Sequence, residues 1–554
     1  MSTDDESFHP LGDEWEDELE TMLDDTEYDS DLGMEMAQDA MRVTKGELSE
    51  AEFHEKHHEA VMEEFGEDER PTKEAYEAAQ EEAKGTASRM LGAFDGDGEE
   101  TRRETMKKMG VGAAAVGMGA FSSTRDGPME SLSAEGGHSE TTEHSDTQWG
   151  MTIDLERCDG CLTCMSACTQ ENDLDAGVNW MYVMAWEDEL HEGHEEGTDT
   201  GVYSSDFNMG SDFNMLVRPC QHCTDAPCEK VCPTTARHTR DKDGLVLTDY
   251  DVCIGCRYCQ VACPYGVNYF QWDEPHTDYE DIPKAQDRDV DSPDEITHAQ
   301  YEHGERWVDS RAPRGVMSKC TMCPSMQDGQ QGEEKVGTSA CESACPPNAI
   351  QFGNVKDEKS DPSQHREHPS KSRAVIRLSD EHTDASKGVP SPETIDETLS
   401  SDDDIESALE KFENLDQETL SIMKAVELVS DRTEPGDEEN NSILRKEQEI
   451  VASVDAFEQY VDLETDEAIT QLQLGDGSER QARFRIQQYT GKPNSFKLLE
   501  DVGTHPNVTY LGEQPGPEAE QVEGPTKYED IGLVDKRQDL LDEETVGGVD
   551  GVSL

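Results

Sequence analysis

The clearest hydrophobic period in the first hundred residues lies near 49–65, where Phe53, His57, Val61 and Phe65 recur every fourth position. That spacing puts them on one face of a helix. Ser49 and Glu52 fit the capping box that opens one. The rest of 1–100 reads as mainly helical and acidic, punctuated by Pro71 and the Gly96/Gly98 region. Gly110 to Phe121 is an uncharged run of Gly, Ala, Val, Met and Phe, and 122–147 is a polar linker rich in Gly, Ser and Thr. Further on, Ile405, Leu409 and Phe412 predict a short amphipathic helix, while Ala482 to Gln487 alternates like a strand around Phe484 and Ile486. Stretches 354–400 and 431–445 show neither period and read as loop or disorder. No run reaches the roughly 18 apolar residues that a standard transmembrane helix needs, so none is expected.

Charge changes this picture more than length does. The 554 residues carry 46 Lys and Arg against 127 Asp and Glu, a net charge of −81, and only 33% are hydrophobic. Such a chain cannot grip nucleic acid by counterion release, so nucleic acid is excluded as a partner. High charge with little apolar surface is one signature of disorder. It also suits a folded protein in very salty water, where a Debye length of about 3 Å at 1 M screens self-repulsion. Because the acidity is spread along the chain, a halophilic protein with some disordered linkers is the favoured reading.

The sixteen cysteines carry the chemistry. All lie between Cys158 and Cys345, which marks a cofactor domain with cysteine-free additions on both sides. They form four groups in order: Cys158, Cys161, Cys164, Cys168; then Cys220, Cys223, Cys228, Cys232 before Pro233; then Cys253, Cys256, Cys259, Cys263 before Pro264; then Cys320, Cys323, Cys341, Cys345 before Pro346. Three thiolates two residues apart on a tight loop reach three irons of one cubane, and a fourth before proline serves the neighbouring cluster in two-cluster ferredoxins. Sixteen thiolates supply four [4Fe-4S] clusters with none left over. Structural zinc favours paired C-x2-C knuckles rather than triple runs. Tight triplets also make a poor framework of disulfides.

In this region the chain resembles the four-cluster iron–sulfur (beta) subunit of the molybdopterin oxidoreductase family, of the dimethyl sulfoxide, polysulfide and tetrathionate reductase type. The resemblance rests on Met151–Cys158, Ala226–Thr234, Cys253–Gly266, Lys319–Cys323, and Phe496 to Tyr510-Leu511. It implies an α+β fold with two ferredoxin-like two-cluster modules in pseudo-symmetry. It also implies nested ligand sets. Cys158, Cys161 and Cys164 would join Cys345, and Cys320, Cys323 and Cys341 would join Cys168. Cys220, Cys223 and Cys228 would join Cys263, and Cys253, Cys256 and Cys259 would join Cys232. The nitrate-reductase branch has tryptophan at one cysteine position, and no such replacement occurs here.

Two further motifs remain. Thr101-Arg-Arg-Glu-Thr-Met-Lys107 before the weakly apolar run resembles a twin-arginine export signal, a route that carries folded, cofactor-loaded chains. About 100 residues precede it and no clean cleavage site follows. His54-Glu-Lys-His-His58 matches the H-E-x-x-H pattern of zinc proteases, but it reads as the exposed face of a polar helix with no third ligand.

The expected organisation is an acidic extension over 1–100, the signal-like segment 101–121, and a linker 122–147. A four-cluster domain follows over 148–358, then an acidic, partly disordered insertion over 359–492, a family-like segment 493–512 and a tail 513–554. The resemblance leaves 1–100 and 359–492 without a counterpart. The expected function is an electron relay between a membrane quinol-linked anchor subunit and a molybdopterin catalytic subunit. This chain would have no catalytic residues and no direct small-molecule substrate, and would be peripheral on the outer face of the cytoplasmic membrane, or otherwise cytoplasmic. The alternatives are a hydrogenase or formate dehydrogenase subunit, a stand-alone polyferredoxin, and a zinc-stapled scaffold.

Overall fold

The computed structural model describes residues 13–70, 146–187, 214–272, 312–379, 389–400, 404–430, 441–516 and 519–521, less a few positions within these stretches, and 431–440, read above as loop, lie outside them. The signal-like segment 101–121, and all but the last two residues of the linker, lie outside them.

Three helices come first: α1 (Asp13–Asp24), α2 (Ser30–Thr44) and α3 (Glu50–Phe65). Asp29 caps α2 by accepting from the Leu32 N–H. The expected capping box opens α3, with Ser49 and Glu52 exchanging bonds, and Gly66 closes it at φ 78. A left-handed residue at that position is the usual helix stop, and glycine adopts it without strain. Leu19, Leu23, Met36, Ala37, Phe53 and Val61 are buried and continuous with the core around the cysteines. Tyr258 anchors the contact, its hydroxyl donating to the Asp29 carbonyl at 2.6 Å. Arg257 Nη1 donates to the Met22 carbonyl at 3.0 Å, and Thr44 Oγ1 to the Val502 carbonyl at 2.8 Å. At Gly33 a Cβ would lie 2.7 Å from the Tyr258 ring, so only glycine lets α2 approach this closely.

The cysteine region is a mixture of short strands and one-turn helices. The strands are β1 (Trp149–Asp154), β2 (Met181–Glu187), β3 (Asn214–Pro219), β4 (Arg237–Thr239), β5 (Val246–Thr248), β6 (Tyr269–Phe270), β7 (Met317–Ser318), β8 (Ile350–Asn354), β9 (Ser495–Phe496), β10 (Val508–Leu511) and β11 (Glu520–Gln521). The main sheet runs β8-β1-β10-β9, with β1 parallel to β10 and antiparallel to β8. The family-like segment near residue 500 therefore returns to flank the first strand of the domain. A second sheet runs β11-β2-β3, and β4-β5 and β6-β7 form two-stranded ribbons.

Between β8 and β9 the described residues are helical, with a hydrophobic core of their own. This corrects three expectations. The stretch read as loop over 354–400 contains helices Asp361–Glu367, Pro369–Ser379 and Pro392–Thr398. Their apolar period is masked by basic residues that are buried rather than exposed, Lys371 and Arg373 among them. Residues 442–445, also read as loop, open the helix Ser442–Glu458, whose first N–H groups at Ser442 and Ile443 donate to Asp361. The strand expected at 482–487 is part of the helix Glu479–Thr490. There Ala482 and Ile486 are buried at i and i+4, while Phe484 is 56% exposed, so the apparent alternation counts an exposed side chain as core. The helix expected around Ile405 is present as Ile405–Leu409.

An ion pair ties this helical layer to β1. The Arg373 guanidinium reaches both oxygens of fully buried Asp154 at 2.5 Å and Glu156 at 2.8 Å.

Candidate metal centres

The first and third cysteine groups sit on loops that twice enter the left-handed region, at Gly160 and Leu162 (φ 64 and 61) and at Gly255 and Arg257 (φ 69 and 65). Alternating backbone handedness turns successive N–H groups inward and makes a concavity for negative charge. Accordingly the Gly160 and Gly255 N–H groups point at the Cys158 and Cys253 sulfurs. A Cβ at residue 255 would lie 2.1 Å from the Gly315 carbonyl oxygen, so the turn requires glycine.

The sixteen cysteines, none of them in a disulfide, gather in fours. Cys158, Cys161, Cys164 and Cys345 line a cavity walled by Val183, Val217 and Ile350. Cys168, Cys320, Cys323 and Cys341 line one beside Met151 and Trp180. Cys220, Cys223, Cys228 and Cys263 line a third beside Val246 and Tyr265. Cys232, Cys253, Cys256 and Cys259 form the fourth set, close enough to influence one another's ionisation. The structure thus brings together the same nested sets that the resemblance implies.

Burial pushes the Cys158, Cys164, Cys253 and Cys323 thiols up to about 12 and the Cys320 thiol to about 11. Bound metal removes such protons outright. Around the sulfurs stand polar donors. The Arg237 and Ala349 N–H groups reach Cys232 and Cys345 Sγ at 3.3 Å. Asn172 Nδ2 reaches Cys168 Sγ at 3.5 Å, and Thr163 Oγ1 reaches Cys161 Sγ at 3.3 Å.

Sequence reasoning missed three buried basic side chains. Arg237 lies between the third and fourth sets, donating through Nη2 to Cys259 Sγ at 3.4 Å and to Asn268 Oδ1 at 2.8 Å. Burial opposes its charge, but negative charge on the Cys259 and Cys228 sulfurs favours it. Its Nε and Nη1 are buried without a partner. Lys319 bonds the Val246 and Cys320 carbonyls, and His222 bridges the Val246 N–H at 3.0 Å and the Cys320 carbonyl at 2.9 Å. Burial holds His222 neutral. The available signal was scarcity: a buried base in a chain with 46 basic against 127 acidic residues stands out. Four thiols per cavity, inward N–H groups and a guanidinium with two unpartnered nitrogens beside them fit an anionic iron–sulfur cluster. They do not fit an apolar ligand.

The comparisons with known proteins agree. A family described as a 4Fe-4S dicluster domain matches residues 211–280. The chain is 37% identical over 222 residues to a putative dimethyl sulfoxide reductase iron–sulfur subunit of Halobacterium salinarum, covering 40% of this chain and 71% of the relative. It is 35% identical over 224 residues to the arsenate respiratory reductase iron–sulfur subunit of a Shewanella species, covering 39% and 85%. It is 32% identical over 259 residues to the iron–sulfur cluster-binding subunit of menaquinone reductase from Nitratidesulfovibrio vulgaris, covering 42% and 83%. The chain belongs to the iron–sulfur electron-transfer subunits of oxidoreductase complexes. Its cofactors are [4Fe-4S] clusters, which supply one-electron transfer. A second family, the N-terminal region of 4Fe-4S ferredoxin iron–sulfur binding proteins, matches residues 9–73. α1–α3 lie within the matched residues.

Proposed function

We propose that the sixteen cysteines are the iron ligands of four [4Fe-4S] clusters, one per set, and that the clusters form a line of electron transfer. The observation that carries this is the interleaving of the sets. The helix Thr163–Asn172 bears Cys164 of the first set and Cys168 of the second. Cys220 of the third set lies near enough to act on Cys320 of the second. Residues 228 and 232 on one short turn join the third set to the fourth, with Arg237 between them. Each set therefore neighbours the next, and the first and fourth are the ends. The matching left-handed turns at Gly160/Leu162 and Gly255/Arg257 support two related two-cluster modules.

In this reading the relay runs between a molybdopterin catalytic subunit and a quinol-linked membrane anchor subunit, with no substrate site on this chain. Among the described residues no helix is long and apolar enough to cross a membrane. A peripheral place on the outer face, reached by the twin-arginine route, fits the Arg102-Arg103 stretch. The packing of α1–α3 around Tyr258 supports their retention in the mature protein, crossing with the folded chain.

The test is the metal content of the native complex, tagged in its own host and purified without oxygen at high salt. About sixteen irons per chain with molybdenum or tungsten is the expected result. Nickel would move the assignment to a hydrogenase and iron alone to a free carrier. Zinc without iron would overturn it.

A further inference from the structure

The H-E-x-x-H stretch in α3 is not the exposed face that its sequence suggests. His54 and His57 are buried, at 5% and 2% exposure, and only His58 faces solvent. His57 is committed elsewhere, its Nε2 lying 2.9 Å from Asp39 Oδ2. His54 and His58, one helical turn apart, stack with ring centroids 4.9 Å apart and planes at 25°. After the left-handed stop at Gly66 the chain brings Asp68 to the same two rings. Its Oδ2 lies 2.8 Å from His58 Nδ1 and 3.5 Å from His54 Nε2. The two ring nitrogens and the carboxylate oxygen all lie within 4.8 Å of one another.

Two observations set this cluster apart from a hydrogen-bonded turn. His54 Nε2 is buried and makes no hydrogen bond, although a carboxylate oxygen stands 3.5 Å away. Buried ring nitrogens normally close such a gap. The separation is instead near the edge of a coordination tetrahedron, roughly 3.3 Å for metal bonds of about 2.0–2.1 Å. The carboxylate, moreover, is already oriented from behind. Arg70 Nε donates to Asp68 Oδ1 at 2.7 Å and its Nη2 to Oδ2 at 2.8 Å. Metal-binding carboxylates are ordinarily held by such partners. The cation added beside Arg70 is offset by a helix that also carries Glu50, Glu52, Glu55, Glu59, Glu63 and Glu64.

We propose that His54, His58 and Asp68 bind one divalent transition metal of the zinc class, at a site separate from the sixteen cysteines. Two imidazoles and a carboxylate make a three-ligand set, and the half-exposed side of His58 leaves the fourth position to water. The metal joins the end of α3 to the turn behind it, and so stiffens the unit that packs on the fourth cysteine set.

The test uses the full chain with its clusters assembled, dialysed without oxygen against buffered free zinc, for the wild type and the H58Q and D68N variants. Iron and zinc are counted together, and zinc X-ray absorption reads the ligand type. The expected result is about one zinc per wild-type chain with nitrogen and oxygen neighbours, its affinity at least about tenfold weaker in both variants at unchanged iron. His58 is half exposed, so H58Q keeps the fold testable, and the iron count reports it. Zinc equal in wild type and variants, sulfur-coordinated zinc, or no bound zinc overturns the site. None of these outcomes bears on the iron-to-molybdenum ratio that tests the relay.

Discussion

At the scale of single residues, the informative group is Arg237. A fully buried cation between two cluster sets stabilises the more negative, reduced state on either side of it. Replacing it with Gln removes that charge and leaves its neighbours' sulfurs with one fewer donor. The expected outcome is that two of the four potentials become more negative by on the order of 60 mV each, equivalent to about 1.4 kcal/mol for one electron. The other two should shift little. Redox titration followed by electron paramagnetic resonance of the purified holoprotein checks this. A uniform shift of all four, or none, would refute a local role for Arg237. No pattern of apolar and polar positions could have located this residue. Its position depends on β4 carrying it between loops that are distant in sequence.

At the scale of elements, the helical layer after β8 hangs on the Asp154–Arg373 pair. Breaking a buried pair by removing one partner costs about 3–5 kcal/mol, because the survivor is left charged and unsatisfied. R373M should therefore lower the unfolding midpoint far more than a surface Arg→Met change, as urea titration under argon would show. The pH dependence follows from Asp154. Burial raises its carboxyl, but neighbouring His365, 3.4 Å away, and the Arg373 bonds outweigh burial and hold it below the ordinary value. A depressed folded pKa gives stability that is present above the unfolded value, near 3.9, and lost as pH falls through the folded one. The wild type's advantage over D154N should be full above about pH 5 and shrink below about pH 4. A constant advantage across that range would contradict the assignment. These elements also show where sequence reading stops. The capping box at Ser49 and the stripe on α3 were legible because their partners are local. The helix Glu479–Thr490 was misread because its face is defined by what packs on it, and Phe484 faces outward.

At the scale of the whole molecule, the net charge of −81 dominates. Self-repulsion of that size acts over about 10 Å at 0.1 M salt and about 3 Å at 1 M. The thermal midpoint should rise between these concentrations of KCl, and rise more than with an uncharged solute of matched osmolality. A midpoint independent of salt would remove the halophilic reading. The same charge makes the buried bases Arg237, Lys319 and Arg373 conspicuous, since each sits in the interior against an acidic exterior.

By itself, the sequence determined the chemistry: sixteen cysteines in four groups, three of them tight and the fourth split by a long gap after Cys323, admit cubane clusters and little else, because ligand spacing on a short loop is a local property. It also determined that the chain is an electron carrier, through motifs whose residues are adjacent. Only the tertiary structure decided which cysteines share a cavity, that α1–α3 cover the fourth set, that the described residues between β8 and β9 pack as a helical layer, and that His54 meets Asp68. Each of those depends on contacts between segments brought together by folding, and a linear pattern records the period of a face without recording what lies against it.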